Sequence, residues 1–137
     1  MGHTHAIIYL HITFATKDRR PAIKDLGALG KYIACVANTH GAHLVTSGGM
    51  PDHIHLLLQL PTTISVGELI SKLKANSSRV LGENFQWQHG YSAFSISASG
   101  VVAVRQYIEN QPEHHKQRDY DAELAALLSA YGYQRPT

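Results

Sequence analysis

The sequence predicts a single α+β domain in the order β-α-β-β-α-β, with further helices toward its C-terminal end. Three observations predict it. Apolar residues alternate strictly at 8, 10, 12 and 14; they recur at helical spacing in two later stretches; and a short apolar run at 53–59 is bounded by turn-forming residues. With 137 residues, 44% of them apolar, the chain can bury one real core, and its composition argues against disorder.

The first strand is expected over His5–Ala15, with Ile8, Leu10, Ile12 and Phe14 on one face and Ile7, Tyr9, His11 and Thr13 on the other. Pro21 marks the following loop. From about Asp25 to His40, Leu29, Ile33, Val36 and Ala37 share a helical stripe, and Gly41 supplies a C-terminal stop. Two strands come next, His43–Ser47 and His53–Gln59, joined as a hairpin through Gly48-Gly49-Met50-Pro51-Asp52. A capping box, Ser65-x-x-Glu68, opens a second helix carrying Leu69, Ile70, Leu73 and Val80. After a loop at 82–90, a fourth strand is expected over Tyr91–Ser97. Ser99 then caps a helix through Val101, Val102, Val104, Ile108 and Gln111, and a last helix spans Asp121–Tyr131. This order is that of a ferredoxin-like (RRM-like) sandwich, with both early helices on one sheet face. Residues 1–137 form one domain, with a core at about 5–98 and a helical tail at about 99–131. In that arrangement the third strand pairs centrally with the first, and its outward residues lie on the open face.

No apolar stretch approaches the roughly 20 residues that cross a bilayer, and the N-terminus lacks the regions of a signal peptide. A cytoplasmic protein with no membrane partner is expected. Cys35, the single cysteine, falls inside an apolar helical pattern and reads as core. The net charge of +2 is too small to indicate nucleic acid by itself. The basic residues are grouped, however: Lys17, Arg19 and Arg20 after the first strand, Lys72, Lys74 and Arg79 on the second helix, and Arg105, Lys116 and Arg118 around Tyr107.

The run Met50-Pro-Asp-His-Ile-His-Leu-Leu-Leu carries the most chemistry. Side chains two apart on a strand point the same way, so His53 and His55 leave one face together. Two imidazoles on a rigid strand make half of a metal site, although alternating polar residues on a half-buried strand also produce such pairs. Tyr107 and Gln111, four apart, share one face of the C-terminal helix. Gln offers a carbonyl oxygen to a hard cation and Tyr an oxygen nucleophile; a helical Tyr is also commonly a buried aromatic with a satisfied hydroxyl. Asp52 reads equally as an acceptor that orients His53 and as a turn former. His114 and His115 read as DNA contacts, as groups supporting the ligands or as structural residues, rather than as ligands. His3, His5, His11, His40 and His43 have no partner pattern and read as incidental. Pro112 disfavours helix at Gln111 and is expected to end or kink the tyrosine helix there.

The run Met-Pro-Asp-His-Ile-His-Leu-Leu resembles the histidine-hydrophobe-histidine (HUH) motif. Trp87-x-x-Gly90-Tyr91-x-Ala-Phe-Ser and Tyr107-Ile-x-Asn-Gln-x-Glu-His-His115 resemble the C-terminal signature of single-tyrosine HUH transposases, and Thr16-Lys-x-Arg-Arg-Pro21 also fits. These are the small transposases of bacterial insertion sequences and their REP-associated relatives. The resemblance runs from about Tyr9 to Glu123, and four motifs in the right order are far more specific than one.

The resemblance implies an HUH transposase domain in which a divalent cation, Mg²⁺ or Mn²⁺, is held by His53, His55 and Gln111. Tyr107 would attack phosphorus, leaving a 5′-phosphotyrosine linkage and a free 3′-hydroxyl that later rejoins a strand. It also implies a substrate of single-stranded DNA with hairpin ends. A homodimer is implied too, in which the tyrosine helix of one chain can serve the other, with Ser97–Gly100 as a small-residue hinge. Lys17, Arg19, Arg20, Lys72, Lys74 and Arg79 are the positions expected to meet phosphates. Action at the nucleoid of a bacterial or archaeal cell is expected. Two other readings stand beside this one: a non-catalytic module binding single-stranded nucleic acid, and a metallonuclease that uses water.

Overall fold

A computed structural model describes residues 2–116 and 118–134. The strands are β1 (Tyr9–Ala15), β2 (His43–Met50), β3 (His53–Gln59) and β4 (Ser92–Ile96). The helices are α1 (Leu26–Thr39), α2 (Val66–Leu81), α3 (Val101–Glu109), α4 (Gln111–His114) and α5 (Tyr120–Ala130). The four strands form one sheet in the order β2-β3-β1-β4, every neighbouring pair antiparallel. β3 and β1 are therefore central, as expected from the element order. Thr13 pairs with His55 and Ala15 with His53.

Strand parity divides the molecule. Leu10, Ile12 and Phe14 of β1 and Ile54, Leu56 and Leu58 of β3 point to one face. There they meet Leu29, Ile33 and Ala37 of α1 and Leu69, Ile70 and Leu73 of α2. Each leucine, isoleucine or phenylalanine among these contributes roughly 1.5–3 kcal/mol relative to exposure, so this layer dominates stability. His11, Thr13, His53, His55 and Leu57 point to the other face, and all are buried. That face is not open. α3 and α4 pack across β2 and β3, and α5 brings Tyr120 and Glu123 onto the same side.

Several local expectations change. β1 begins at Tyr9 rather than His5; Ile7 is 70% exposed and has no partner strand. β2 continues through both glycines to Met50, leaving Pro51-Asp52 as the turn. The reason is steric: a Cβ on Gly49 would collide with the His53 carbonyl, and one on Gly48 with the Ile108 carbonyl. Gly48 thus lets α3 lie directly on the sheet. Cys35 is exposed, because the α1 stripe turns Leu29, Ile33 and Ala37 inward and leaves Cys35 on the outer side. Val80 is likewise exposed, at the last turn of α2. Gly100 rather than Ser99 caps α3, since Ser99 lies in a 3-10 turn and bonds Ser97 instead. The Ser65 cap forms as expected, its hydroxyl accepting from Glu68 N at 3.1 Å, and Gly41 ends α1 at φ +81°.

Candidate metal and tyrosine site

His53 and His55 are fully buried on the helix-covered face of β3. The turn before them is anchored from β1: Thr16 donates through both N and Oγ1 to the Asp52 carbonyl, at 2.9 and 3.1 Å. Asp52 Oδ1 then lies 2.7 Å from His53 Nδ1, which fixes that ring and makes Nδ1 the protonated nitrogen. His53 Nε2 is 3.0 Å from Gln111 Oε1. His55 is held at both nitrogens, Nδ1 at 2.8 Å from His11 Nε2 and Nε2 at 2.9 Å from Glu123 Oε1.

Pro112 does break the tyrosine helix. α3 stops at Glu109, Asn110 is its C-cap, and α4 restarts with proline in its first turn. The break does not carry Gln111 away; it is fully buried and faces His53. Tyr107, half-buried one turn earlier, lies with its ring centroid 5.9 Å from that of His55 and 4.5 Å from that of His114. Its hydroxyl donates to Glu123 Oε2, which also accepts from Gln111 Nε2 at 2.8 Å. Tyr107 therefore reaches the histidines of its own chain.

Charge is strongly biased here. Burial pushes the Tyr107 phenol well above its usual value, and the Glu123 carboxylate adds to the rise. Burial alone would raise Glu123 as well, but hydrogen bonds from His55, Tyr107 and Gln111 and the charge of His55 outweigh it and hold the carboxyl low. His11 is lowered to about 3 by burial, with help from His55. Burial also lowers His55, partly offset by Glu123. At neutral pH the site holds a buried carboxylate and a protonated tyrosine beside the neutral rings of His11 and His55.

The remaining expected residues spread widely. His115 Nε2 lies 3.0 Å from Gln111 Oε1 and 3.2 Å from Glu123 Oε1, so it faces the site directly. His114 stacks on Tyr107 instead. Arg19 pairs with Asp121 at 2.8 Å and sits 4.9 Å over the Tyr120 ring, which ties it to α5. Asp18 and Arg19 both hold left-handed backbone to make this turn, a costly conformation for non-glycine residues. Lys74 donates to the carbonyls of Gln88 and Gly90 and so tethers the 82–90 loop. Lys17, Arg20, Lys72 and Arg79 are exposed. Lys17 and Lys74 line a groove of about 570 Å³ with Trp87 and His89, which does not include His53 or His55. A smaller hollow of about 370 Å³ opens beside Asp52 and His115, lined also by Arg19 and Arg118.

Three site residues lay outside the sequence expectation. Glu123 is 1% exposed at the centre of the cluster, Tyr120 packs its ring 4.4 Å from His53, and His11 is buried against His55. Parity was the available signal for His11, which shares the Thr13 face of β1. Tyr120 and Glu123 lie three apart on α5, whose apolar residues are spread around the helix and so mark no inward face.

The donor chemistry fits a divalent cation. With Nδ1 turned to Asp52, the His53 Nε2 faces the Gln111 carbonyl oxygen, whose own amide is turned to Glu123. In the neutral ring these would be two lone pairs aimed at each other, an arrangement that a cation between them relieves. Among the described residues, His53, His115 and Glu123 also bring one ligand atom each within 4.8 Å of one another. Imidazole nitrogens with carbonyl and carboxylate oxygens form a mixed set that suits Mn²⁺ or Mg²⁺.

Residues 4–111 match the family model described as "Transposase IS200 like". The transposase for insertion sequence element IS200 of Salmonella typhimurium strain LT2 is 28% identical over 129 residues, covering 85% of this chain and 84% of that protein. The ISDra2 transposase TnpA of Deinococcus radiodurans is 25% identical, covering 80% and 87%. A crystal structure of a transposase-like protein from Deinococcus radiodurans R1 superposes with a TM-score of 0.62 at 26% identity, over 81% of this chain and 96% of that one. The REP-associated tyrosine transposase bound to a REP hairpin shares the fold, with a TM-score of 0.63 at 18% identity, over 84% and 74%. A family match over 108 residues, from 4 through 111, spans β1 to Gln111 and takes in the His pair and Tyr107 together: the chain belongs to the IS200-like transposase family.

Proposed function

We propose that this transposase nicks and rejoins single-stranded DNA through Tyr107, on strands whose ends fold into hairpins. The observation that carries the reading is convergence on one carboxylate: Tyr107, Gln111 and His55 all bond Glu123, while Gln111 also reaches His53. In the first step the Tyr107 oxygen loses its proton as it bonds phosphorus, and the bond from phosphorus to the 3′-oxygen breaks. The phosphate stays on the 5′ side as a phosphotyrosine, and the 3′-oxygen leaves as a hydroxyl, so in net one proton passes from the phenol to the leaving oxygen. A 3′-hydroxyl attacking the phosphotyrosine reverses the exchange and joins the strand, so the energy of the phosphodiester is conserved.

His53, His55 and Gln111 would hold the divalent cation, Mg²⁺ or Mn²⁺, with Asp52 orienting His53. When bound, such a cation supplies positive charge against the phosphate and lowers the cost of a phenolate. The chain's own residues do the positioning. Glu123 fixes the Tyr107 hydroxyl, His114 stacks on its ring, and the break at Asn110 turns Gln111 back toward His53. Arg118 beside the smaller hollow gives phosphate oxygens an approach to the site. Lys17, Arg20, Lys72 and Arg79 position the rest of the strand. The protein acts on DNA at the nucleoid, as a homodimer. Exchange of α3 between protomers is not needed to complete the site, because Tyr107 meets the histidines of its own chain.

Coverage of the histidine-bearing sheet face by α3, α4 and α5 argues against a module that stacks bases on an open sheet. The test is a nicking assay with labelled hairpin single strands and Mn²⁺ or Mg²⁺, resolved on a denaturing gel. A protein-DNA adduct that needs the metal and disappears with Tyr107→Phe is expected. Cleavage that persists in Tyr107→Phe would instead identify a water-using metallonuclease.

A further inference from the structure

The His53, His55 and Gln111 donors are all neutral, and a divalent ion in a buried site with only neutral donors is poorly stabilised. Glu123 offers the missing charge. It is 1% exposed, and its ion-pair partners among the described residues are the imidazoles of His53, His55 and His115. Its Oε1 lies 2.9 Å from His55 Nε2, 3.2 Å from His115 Nε2 and 3.5 Å from His53 Nε2. Two donors at right angles on a small cation with bonds of about 2.1 Å stand roughly 3.0 Å apart, so these separations suit adjacent positions around one ion. His53 Nε2 faces Glu123 Oε1 as well as Gln111 Oε1, at 3.5 and 3.0 Å, which brings three potential ligand atoms around one point.

We propose that Glu123, on α5 and beyond the stretch matched by the family, is itself a ligand of the cation through Oε1. This rests on the metal-dependent reading above and adds the anionic donor it lacks. Oε2 remains bonded to Tyr107 and Gln111, so one carboxylate fixes the nucleophile relative to the ion. α5 is thereby part of the metal site and not merely a cover over the sheet.

The test is Mn²⁺ binding by the full chain without DNA, followed through the loss of the free-ion electron paramagnetic resonance signal. Glu123→Gln keeps the side chain's shape and removes its charge. Its Mn²⁺ affinity should fall by at least about tenfold, the lower end of what even supporting groups around a ligand contribute, with circular dichroism unchanged. A second measurement needs no variant. In protein labelled with ¹³C at the glutamate carboxyls, electron-nuclear double resonance of bound Mn²⁺ should show the strong ¹³C coupling of a directly bound carboxylate. Wild-type binding retained by Glu123→Gln, or absence of that coupling, overturns Glu123 as a ligand while leaving metal dependence intact. Failure of the unmutated protein to bind Mn²⁺ overturns both.

Discussion

The hydroxyl of Tyr107 donates to the carboxylate of Glu123, sixteen residues further along the chain and on a different helix. The same oxygen takes the Gln111 amide at 2.8 Å. The proposed nucleophile and a candidate ligand are therefore held by one buried acceptor, and displacement of α5 should disturb both together.

Tyr107→Phe removes the attacking oxygen while leaving Gln111 on Glu123. Cleavage of a hairpin substrate should fall by at least about 10³-fold, as expected when a covalent nucleophile is lost. Mn²⁺ binding should be retained. Comparing denaturing-gel adduct with Mn²⁺ titration separates the two.

Gly48→Ala should cost about 1–3 kcal/mol, because the added methyl meets the Ile108 carbonyl and forces α3 off the sheet. Nicking should fall along with stability, since Tyr107 and Gln111 move with α3. Gly67→Ala is the control: it lies inside α2 with the nearest atom, Tyr91 OH, at 3.6 Å. It should be stabilising by roughly 0.5–1 kcal/mol. Urea unfolding of both variants checks the contrast.

Stability should fall on acidification below pH 6.5. His11 is lowered to about 3 in the folded chain against 6.5 unfolded, so between those values the unfolded chain binds the extra proton. Its contribution is fully present above pH 6.5 and is lost progressively as pH falls toward 3. His55 is lowered too and acts in the same direction. Urea midpoints measured with chelator from pH 7.5 to 4.5 should show a shallower decline in His11→Gln than in the unmutated chain.

Cation binding should raise the melting temperature. At a Mn²⁺ concentration a hundredfold above Kd, linkage to the folded state gives about 2.7 kcal/mol, a shift of several degrees. Chelator should reverse it. A melting curve indifferent to Mn²⁺ would show that the buried donors hold no ion.

Salt dependence should sort the basic residues. Replacing an exposed residue proposed to meet phosphate, as in Lys72→Ala or Arg79→Ala, should flatten the slope of log K against log salt by about 0.7 for a single strand. Lys74→Ala should instead loosen the 82–90 loop, because Lys74 Nζ is already bonded to the Gln88 and Gly90 carbonyls. Arg19→Ala should act mainly through α5, where the guanidinium pairs with Asp121 and covers Tyr120. Filter binding at several salt concentrations, beside melting curves, distinguishes these cases.

Much of this architecture follows from local pattern. The period-two alternation of β1 and the Ser65 capping box are short-range signals, and each acts where expected. The common face of His53 and His55 follows from strand geometry alone. The break at Pro112 follows equally from proline's lack of an N–H and its clash with the preceding turn. Local pattern also sufficed to single out Tyr107 and Gln111 as neighbours.

Other features depend on residues far apart in sequence. His11 acquires its partner only because β1 pairs beside β3 in one register, with Thr13 opposite His55. β1 starts at Tyr9 because β3 ends opposite it at Gln59, beyond which Ile8 keeps a single bond from Leu60 N at 2.8 Å. Cys35 is exposed because the face of α1 that packs on the sheet carries Leu29, Gly30, Ile33 and Ala37, and Cys35 lies off it. The amino-acid sequence by itself determined the strand and helix order, the paired histidines and the tyrosine helix, all consequences of spacing within a few residues. Only the tertiary structure decided that Glu123, His115 and His11 join them. A buried carboxylate is stable only where distant hydrogen-bond donors converge on it, and that convergence is a property of packed elements.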